Sequence, residues 1–207
     1  MRIEKAAAPR RRAARLQPAE RRAQLVERAL ATFARLGLGA ARPADVAAAA
    51  HVSLPAVFHY FPTRAELVSA VLDEVERFYV AMVQEAAAPK NAGVRAALLQ
   101  LGRVFARSVD THPDHARVWL DWSTAVDDQL WRRYFTLSRR QEAVVAGIIR
   151  RGQRDGSVAD DMVAEDVARL FVGAAYAVIQ MKVARDAEAK VERFLASAVR
   201  AVVGRAD

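Results

Sequence analysis

Basic, hydroxyl-bearing and small side chains cluster between residues 42 and 64, and their chemistry suits contact with a nucleic acid. Basic and hydroxyl groups donate hydrogen bonds to phosphate oxygens, whereas small or apolar groups near a helix start approach base edges and thymine methyl groups. The candidates for base contact are Ser53, Leu54 and Ala56, and Pro55 is a further DNA-binding candidate on or beside the same face. The candidates for phosphate contact are Arg42, His59, Tyr60, Thr63 and Arg64.

Arginines near the start of the chain suit the same partner. Arg10, Arg11, Arg12 and Arg15 form a flexible basic arm that could lie along a phosphate backbone or enter a minor groove. Residues 1–64 hold 12 Lys and Arg against 4 Asp and Glu, whereas the two signs balance over residues 65–207. The excess positive charge is therefore confined to the first third, as expected of a phosphate-binding module.

Signals for helix starts and ends predict two short helices that would position these side chains. Residues 45–50 favour one helix, which ends at a tight turn over 51–52. Ser53 suits the N-cap of the next helix, through its hydroxyl, and Pro62 ends that helix. Residues 63–66 match a capping box that begins a third helix. This spacing is typical of a DNA-reading helix-turn-helix.

The helical period also predicts which side chains of the second short helix are buried. Val57, Phe58 and Phe61 are expected to face the interior because they are large and apolar. Ala56, His59 and Tyr60 are then expected to face outwards. The outward set is the one available to a partner.

Apolar side chains keep a helical spacing along the rest of the chain, and no stretch alternates as a strand would. A first helix is predicted from Pro18 to just before Gly37, and a helix of about six turns follows the capping box. The remaining helices are predicted over 94–109, 116–125, 128–151, 164–184 and 187–203. We therefore predict an all-α protein of about nine helices.

Other classes of protein are disfavoured by what the sequence lacks. Without cysteine there is no disulfide and no thiolate metal site, and no run of residues reads as a signal peptide or membrane span. We expect a cytoplasmic protein that is not an enzyme and needs no cofactor, since no Gly-rich phosphate loop is present. His112 and His115 could share a metal with Asp110 or Asp114, but helix capping explains their spacing more simply.

The segment DVAAAAHVSLPAVFHYFPTRAELV, behind a basic arm and a first helix ending LGLGAAR, resembles the N-terminal domain of the TetR family of transcription regulators. The stretches PTRAELV, ARVWLDWS and LFVGAAYAV extend the similarity to the HapR/SmcR branch, the quorum-sensing master regulators. The chain departs from that branch at Pro55, where a small residue is usual, and at His59, where asparagine is usual.

The resemblance implies a three-part organisation and a set of partners. A basic arm over 1–17 would precede a DNA-binding domain over 18–64 and a helical ligand-binding and dimerisation domain over 65–207. The expected partners are a palindromic operator in double-stranded DNA, a second copy of the chain and a small apolar effector. The regulator would act as a repressor, an activator or both.

Apolar and aromatic side chains in residues 65–207 are the candidates for the effector pocket and the dimer interface. The effector-pocket candidates are Phe78, Met82, Phe105, Trp119, Trp122, Phe135, Phe171, Ala175 and Tyr176. The dimer-interface candidates, on the last two helices, are Ile179, Val191, Phe194, Leu195, Ala198, Val199 and Val202.

A different class of function stays open at this point. The basic arm could serve a helical protein that binds RNA, nonspecific DNA or an anionic membrane surface without sequence preference. Such a protein would need neither a dimer nor a palindromic site.

Overall fold

A computed structural model describes residues 17–87 and 93–204, and every regular element in those ranges is a helix. The helices are α1 (Pro18–Leu36), α2 (Pro43–Ala50), α3 (Leu54–Tyr60), α4 (Arg64–Ala87), α5 (Val94–Thr111), α6 (Pro113–Ser123), α7 (Asp128–Asp155), α8 (Ala164–Val183) and α9 (Glu188–Val203). The prediction of an all-α protein with about nine helices is confirmed.

Proline explains the two helices that begin earlier than expected. α2 starts at Pro43 and α6 starts at Pro113, two and three residues before the predicted starts. Proline suits the first helical turn because its φ is already helical and its missing N–H would have no partner there. At the other end of the longest helix, Gly156 takes a left-handed conformation with φ of 78° and ends α7.

One apolar core joins the three N-terminal helices to the helices that follow. Phe33 of α1, Val57 of α3 and Leu67 of α4 are fully buried in the same cluster as Trp119 and Trp122 of α6. Burial of one such side chain contributes about 1.5–3 kcal/mol. α3 therefore shares one continuous core with α4 and α6, and the domain boundary near residue 64 stays a prediction.

A second core holds the C-terminal helices together. Leu98 of α5, Ile149 of α7 and Val199 of α9 are buried in it. Gly102 lets α9 come close to α5, because a Cβ at this position would lie 2.8 Å from Cδ2 of Leu195. Across the ranges described, none of these helices is long and apolar enough to cross a membrane.

Candidate DNA-binding site

A tight turn fixes α3 against α2. His51 follows α2 in a left-handed conformation, with φ of 54° and ψ of 43°, and reverses the chain within three residues. The backbone N–H of Val52 donates to the carbonyl of Ala47 at 3.0 Å and satisfies the end of α2. The two helices of the predicted helix-turn-helix are thus built with a short and well-defined connection.

The two faces of α3 differ from the prediction at two residues. Val57 and Phe61 are buried as expected, but Phe58 is 40% exposed, so its predicted inward orientation is wrong. Tyr60, expected outside, is partly buried against the core. The cause is the helical period, which places 57, 60 and 61 on one side of α3 and Phe58 beside Leu54 on another.

The outward face of α3 is mainly apolar. Leu54 is 38% exposed and lies one turn before Phe58, while Pro55 and His59 are exposed beside them. Ala56 is partly buried. The sequence analysis did not identify Phe58 as a site residue. Val57 and Phe61 are four residues apart and define the buried side of α3, and Phe58 lies off that side.

The two predicted helix caps behave differently. Ser53 precedes α3, but its hydroxyl makes no capping hydrogen bond, so that part of the prediction is wrong. Its backbone carbonyl accepts the N–H of Ala56 at 3.0 Å, and the Ser53 side chain stays exposed. At the start of α4 the hydroxyl of Thr63 accepts the N–H of Glu66 at 3.1 Å, as the capping box predicts. Of the two hydroxyls, only that of Thr63 is already used in capping.

Arg64 holds the 37–42 loop, which connects α1 to α2. Its Nε donates to the carbonyl of Ala41 at 3.0 Å, and its Nη2 donates to the carbonyls of Gly39, at 3.1 Å, and Leu38. Three of the five guanidinium N–H groups are thus engaged within the chain. Its phosphate contact stays a prediction, and the structure adds a positioning role that the sequence did not reveal.

Asp121 holds the same loop from α6. One carboxylate oxygen accepts the backbone N–H of Leu38 at 2.5 Å. Charged acceptors make stronger hydrogen bonds than neutral ones. The 37–42 loop is therefore fixed through its carbonyls by α4 and through an N–H by α6, and α2 begins directly behind it.

Basic side chains flank the helix-turn-helix. The guanidinium of Arg22, on α1, lies over the ring of Phe61 at 5.0 Å from its centroid, a favourable cation–π arrangement. Arg42 is exposed at the start of α2, and its backbone N–H donates to the carboxylate of Asp45 at 2.8 Å. The arm arginines, Arg10, Arg11, Arg12 and Arg15, lie outside the described residues, so their role stays a prediction.

An apolar cavity lies between α4, α5, α7, α8 and α9, with α6 at its edge. Five of the predicted pocket residues line it, and these are Met82, Phe105, Trp119, Phe171 and Ala175. Sequence reasoning missed the small residues that make room, such as Gly102, and the polar Gln141. The space not filled by atoms is about 600 Å³ with its opening, of which about 60 Å³ is free for a water-sized sphere to move in.

Phe78 and Phe135 do not line this cavity, which corrects their assignment. The ring of Phe78 packs against those of His112 and His115, with centroid distances of 4.6 and 4.5 Å. Burial is the main reason why the pKa of His115 is lowered. Phe135 is exposed on α7 and meets Trp131 edge to face. Within the described ranges no three His, Cys, Asp or Glu side chains converge as a metal site.

Trp122 and Tyr176 also lie outside the cavity lining. Trp122 is fully buried, and its Nε1–H donates to the carbonyl of Leu130 at 2.7 Å. The hydroxyl of Tyr176 accepts a hydrogen bond from Ser123 at 3.2 Å. Both side chains join α6 to neighbouring helices, because each finds a polar partner at the edge of the apolar core.

Most of the predicted dimer-interface side chains are buried within their own chain. This group is Ile179, Val191, Leu195, Val199 and Val202. The apolar face of α9 packs on α5, where Arg103 also forms a bidentate ion pair with Glu192, so these side chains are not available to a second copy. Phe194 and Ala198 are partly buried, and Ala198 lines the cavity with Leu195. The assignment of the buried five is wrong.

Comparison with known proteins places this arrangement in one family. A sequence model described as bacterial regulatory proteins, tetR family, matches residues 25–71, which run from within α1 to the first two turns of α4. The HTH-type transcriptional regulator LuxR from Vibrio harveyi is 32% identical over 189 residues, covering 88% of this chain and 89% of LuxR. The chain belongs to the TetR family. It is a DNA-binding transcription regulator, as its sequence predicted.

Solved structures of TetR-like regulators have the same fold. A regulator from Rhodococcus sp. RHA1 superposes with a TM-score of 0.76 at 21% identity, covering 92% of this chain and 100% of the other. FadR from Bacillus subtilis, solved in complex with stearoyl-CoA, superposes with a TM-score of 0.72 at 15% identity, covering 89% and 99%. These relatives are transcription regulators.

In this TetR family protein, Asp121→Ala will loosen the 37–42 loop. Loss of a hydrogen bond to a charged acceptor costs about 1.5–3 kcal/mol, and the Leu38 N–H is left without its partner. We expect a lower free energy of unfolding in urea and weaker DNA binding. Asp160→Ala, which removes an exposed carboxylate elsewhere, is the control. Equal stability and DNA affinity for the two variants would show that the Asp121 contact does not hold the loop.

Proposed function

We propose that this regulator acts as a homodimer in the cytoplasm and binds a palindromic operator through α3 of each protomer, under the control of a small apolar effector. The observation that supports DNA reading is the exposed face of α3 on a helix-turn-helix held by α4 and α6. α3 has seven residues and is thus about 10 Å long, enough for about three base pairs. One protomer therefore reads half a site, and two-fold symmetry of the protein requires two-fold symmetry of the operator.

The exposed side of α8 supports dimerisation through the last two helices. Leu170 is 62% exposed, and Gly173, three residues later, is exposed too. Leu170 and Gly173 are neighbours on one face of α8, so they form a short and narrow apolar stripe that α8 of a second copy could approach closely. This stripe replaces the buried residues assigned from sequence as the proposed interface.

A charge placed in the stripe tests the dimer. Leu170→Arg should shift the protein from dimer to monomer in sedimentation at low micromolar concentration, because a buried unpaired guanidinium opposes association. Affinity for the operator should fall with it, since one protomer contacts only half a site. Val126→Arg, at a 98% exposed position on another surface, is the matched control. A dimer that survives Leu170→Arg unchanged would contradict this interface.

The lining of the cavity supports an apolar effector. Gln141 and the indole N–H of Trp119 are the polar side-chain groups among the residues that line it, so a ligand there would be apolar with at most a few hydrogen-bonding groups. The free space is narrow. We therefore expect a slim molecule, or one whose entry moves the side chains of Met82 and Phe171.

A filled cavity tests the effector site. Medium-chain fatty acids and aromatic alcohols serve as probes, and a rise in melting temperature with at least one of them is expected from the wild type. Ala175→Phe should abolish that rise because its ring occupies the cavity, whereas Ala159→Phe, on an exposed loop, should retain it. An equal rise in Ala175→Phe would place the ligand elsewhere, and no rise with any probe would contradict an apolar effector of these classes.

A further inference from the structure

The surface that α3 offers to DNA lacks the side chains that most often read bases. Its exposed residues are Leu54, Pro55, Phe58 and His59, and α3 holds no Arg, Lys, Asn or Gln. Arginine or lysine reads guanine, and asparagine or glutamine reads adenine, through paired hydrogen bonds in the major groove. Of the four exposed side chains only that of His59 can hydrogen-bond to a base edge.

Two large apolar side chains dominate this surface instead. Leu54 is 38% exposed and Phe58 is 40% exposed, and they lie one turn apart on the same side of α3. Their surroundings are basic, since Arg22 is exposed on α1 and Arg42 is exposed just before α2. A partner that fits this surface must therefore have a groove that offers phosphates to the basic side chains and apolar groups to Leu54 and Phe58.

The C5-methyl group of thymine is the apolar group that a base pair displays in the major groove. We propose that Leu54 and Phe58 read the operator by contact with thymine methyl groups. This inference rests on the proposed use of α3 as the reading helix. Positions four apart rise by about 6 Å along the helix. The two contacts would therefore fall about two base steps apart, since DNA rises about 3.4 Å per step.

Replacement of thymine by uracil tests the proposal on the DNA side, where no protein variant is needed. A preferred duplex is first selected from random sequences with the wild-type protein. Its thymines are then replaced by deoxyuridine one position at a time, and the symmetry-related thymine of the other half-site is replaced together with each. Base pairing is kept and only the methyl group is lost. We expect binding to weaken by about ten- to twentyfold at one or two positions, because the paired replacement removes two buried methyl groups, each worth about three- to fivefold.

Protein variants then assign the methyl contacts to residues. In Leu54→Ala or Phe58→Ala, one of the uracil-sensitive positions should lose its sensitivity, so that thymine and uracil duplexes bind equally there. His59→Ala is the matched control. It should weaken binding to both duplexes while keeping the ratio of the affinities for the thymine and uracil duplexes. All three side chains are exposed, so folding should be retained, which melting temperatures check.

The possible failures are distinguishable. A preferred duplex that tolerates uracil at every position would overturn the thymine reading alone. If the ratio of the affinities for the thymine and uracil duplexes is the same in both variants as in the wild type, the thymine reading is also overturned. That result is expected if these side chains dock another protein instead. If no duplex is preferred over random sequence, the proposed operator binding fails together with this inference.

Discussion

Arg64→Ala will weaken operator binding by at least about tenfold and lower the free energy of unfolding by about 2–3 kcal/mol. The change leaves the carbonyls of Leu38, Gly39 and Ala41 without their charged donor. Hydrogen bonds of this kind contribute about 1.5–3 kcal/mol each, but the side chain is exposed and solvent replaces part of the loss. Because the helix-turn-helix begins directly after the 37–42 loop, a loosened loop leaves α2 and α3 less firmly positioned to bind DNA. Urea unfolding and fluorescence anisotropy with a labelled operator measure the two effects.

Arg64→Lys separates positioning from phosphate binding. Lysine keeps the charge but cannot donate in a planar fork to three carbonyls. If the main role is to hold the loop, the lysine variant should resemble the alanine variant in both stability and affinity. Arg28→Ala, on an exposed part of α1, is the control for loss of one charge. A lysine variant with wild-type stability and affinity would contradict the positioning role.

Trp122→Ala will have the largest effect on stability, about 3–5 kcal/mol, because it leaves a cavity in the core beneath α6. Trp122 is fully buried, its Nε1–H donates to Leu130, and the guanidinium of Arg133 lies 5.6 Å from its ring centroid. α6 also carries Trp119, which lines the apolar cavity, and Asp121, which holds the 37–42 loop. We therefore expect weaker DNA binding as well, measured at a temperature where the variant is folded.

Two further variants calibrate that result. Trp131→Ala removes a tryptophan of which nearly half is exposed and should cost under about 1 kcal/mol. Trp122→Phe keeps most of the ring but loses the hydrogen bond to the Leu130 carbonyl, so its cost should be intermediate, about 1–3 kcal/mol. The same loss of stability in Trp122→Ala and Trp131→Ala would show that Trp122 is not a main support of the core.

The number and type of helices could be predicted because local signals mark their ends. Pro18, Pro62 and Gly156 stand at positions where a helix begins or ends, and apolar side chains keep the helical period between such positions. The faces of α3 were harder to predict. In this helix of two turns most side chains are apolar, so the buried side depends on how α3 packs on α2 and the shared core.

The contacts that position the site could not be predicted, because they join residues distant in the sequence. Arg64 and Leu38 are 26 residues apart, and Asp121 and Leu38 are 83 apart. A charged residue that holds a backbone loop has the same sequence signature as a solvated one. The apolar face of α9 was likewise assigned to a partner although it packs on α5, since a core and an obligate interface have similar compositions.

Competition for the labelled operator tests the central claim most directly. The selected duplex and a shuffled duplex of equal length and composition are compared as competitors at about 0.15 M salt, where nonspecific phosphate contacts are weakened. We expect the selected duplex to compete at a concentration at least about a thousandfold lower than the shuffled one, with two protomers bound per duplex. Equal competition by the two duplexes would contradict sequence-specific regulation and favour nonspecific binding by basic side chains.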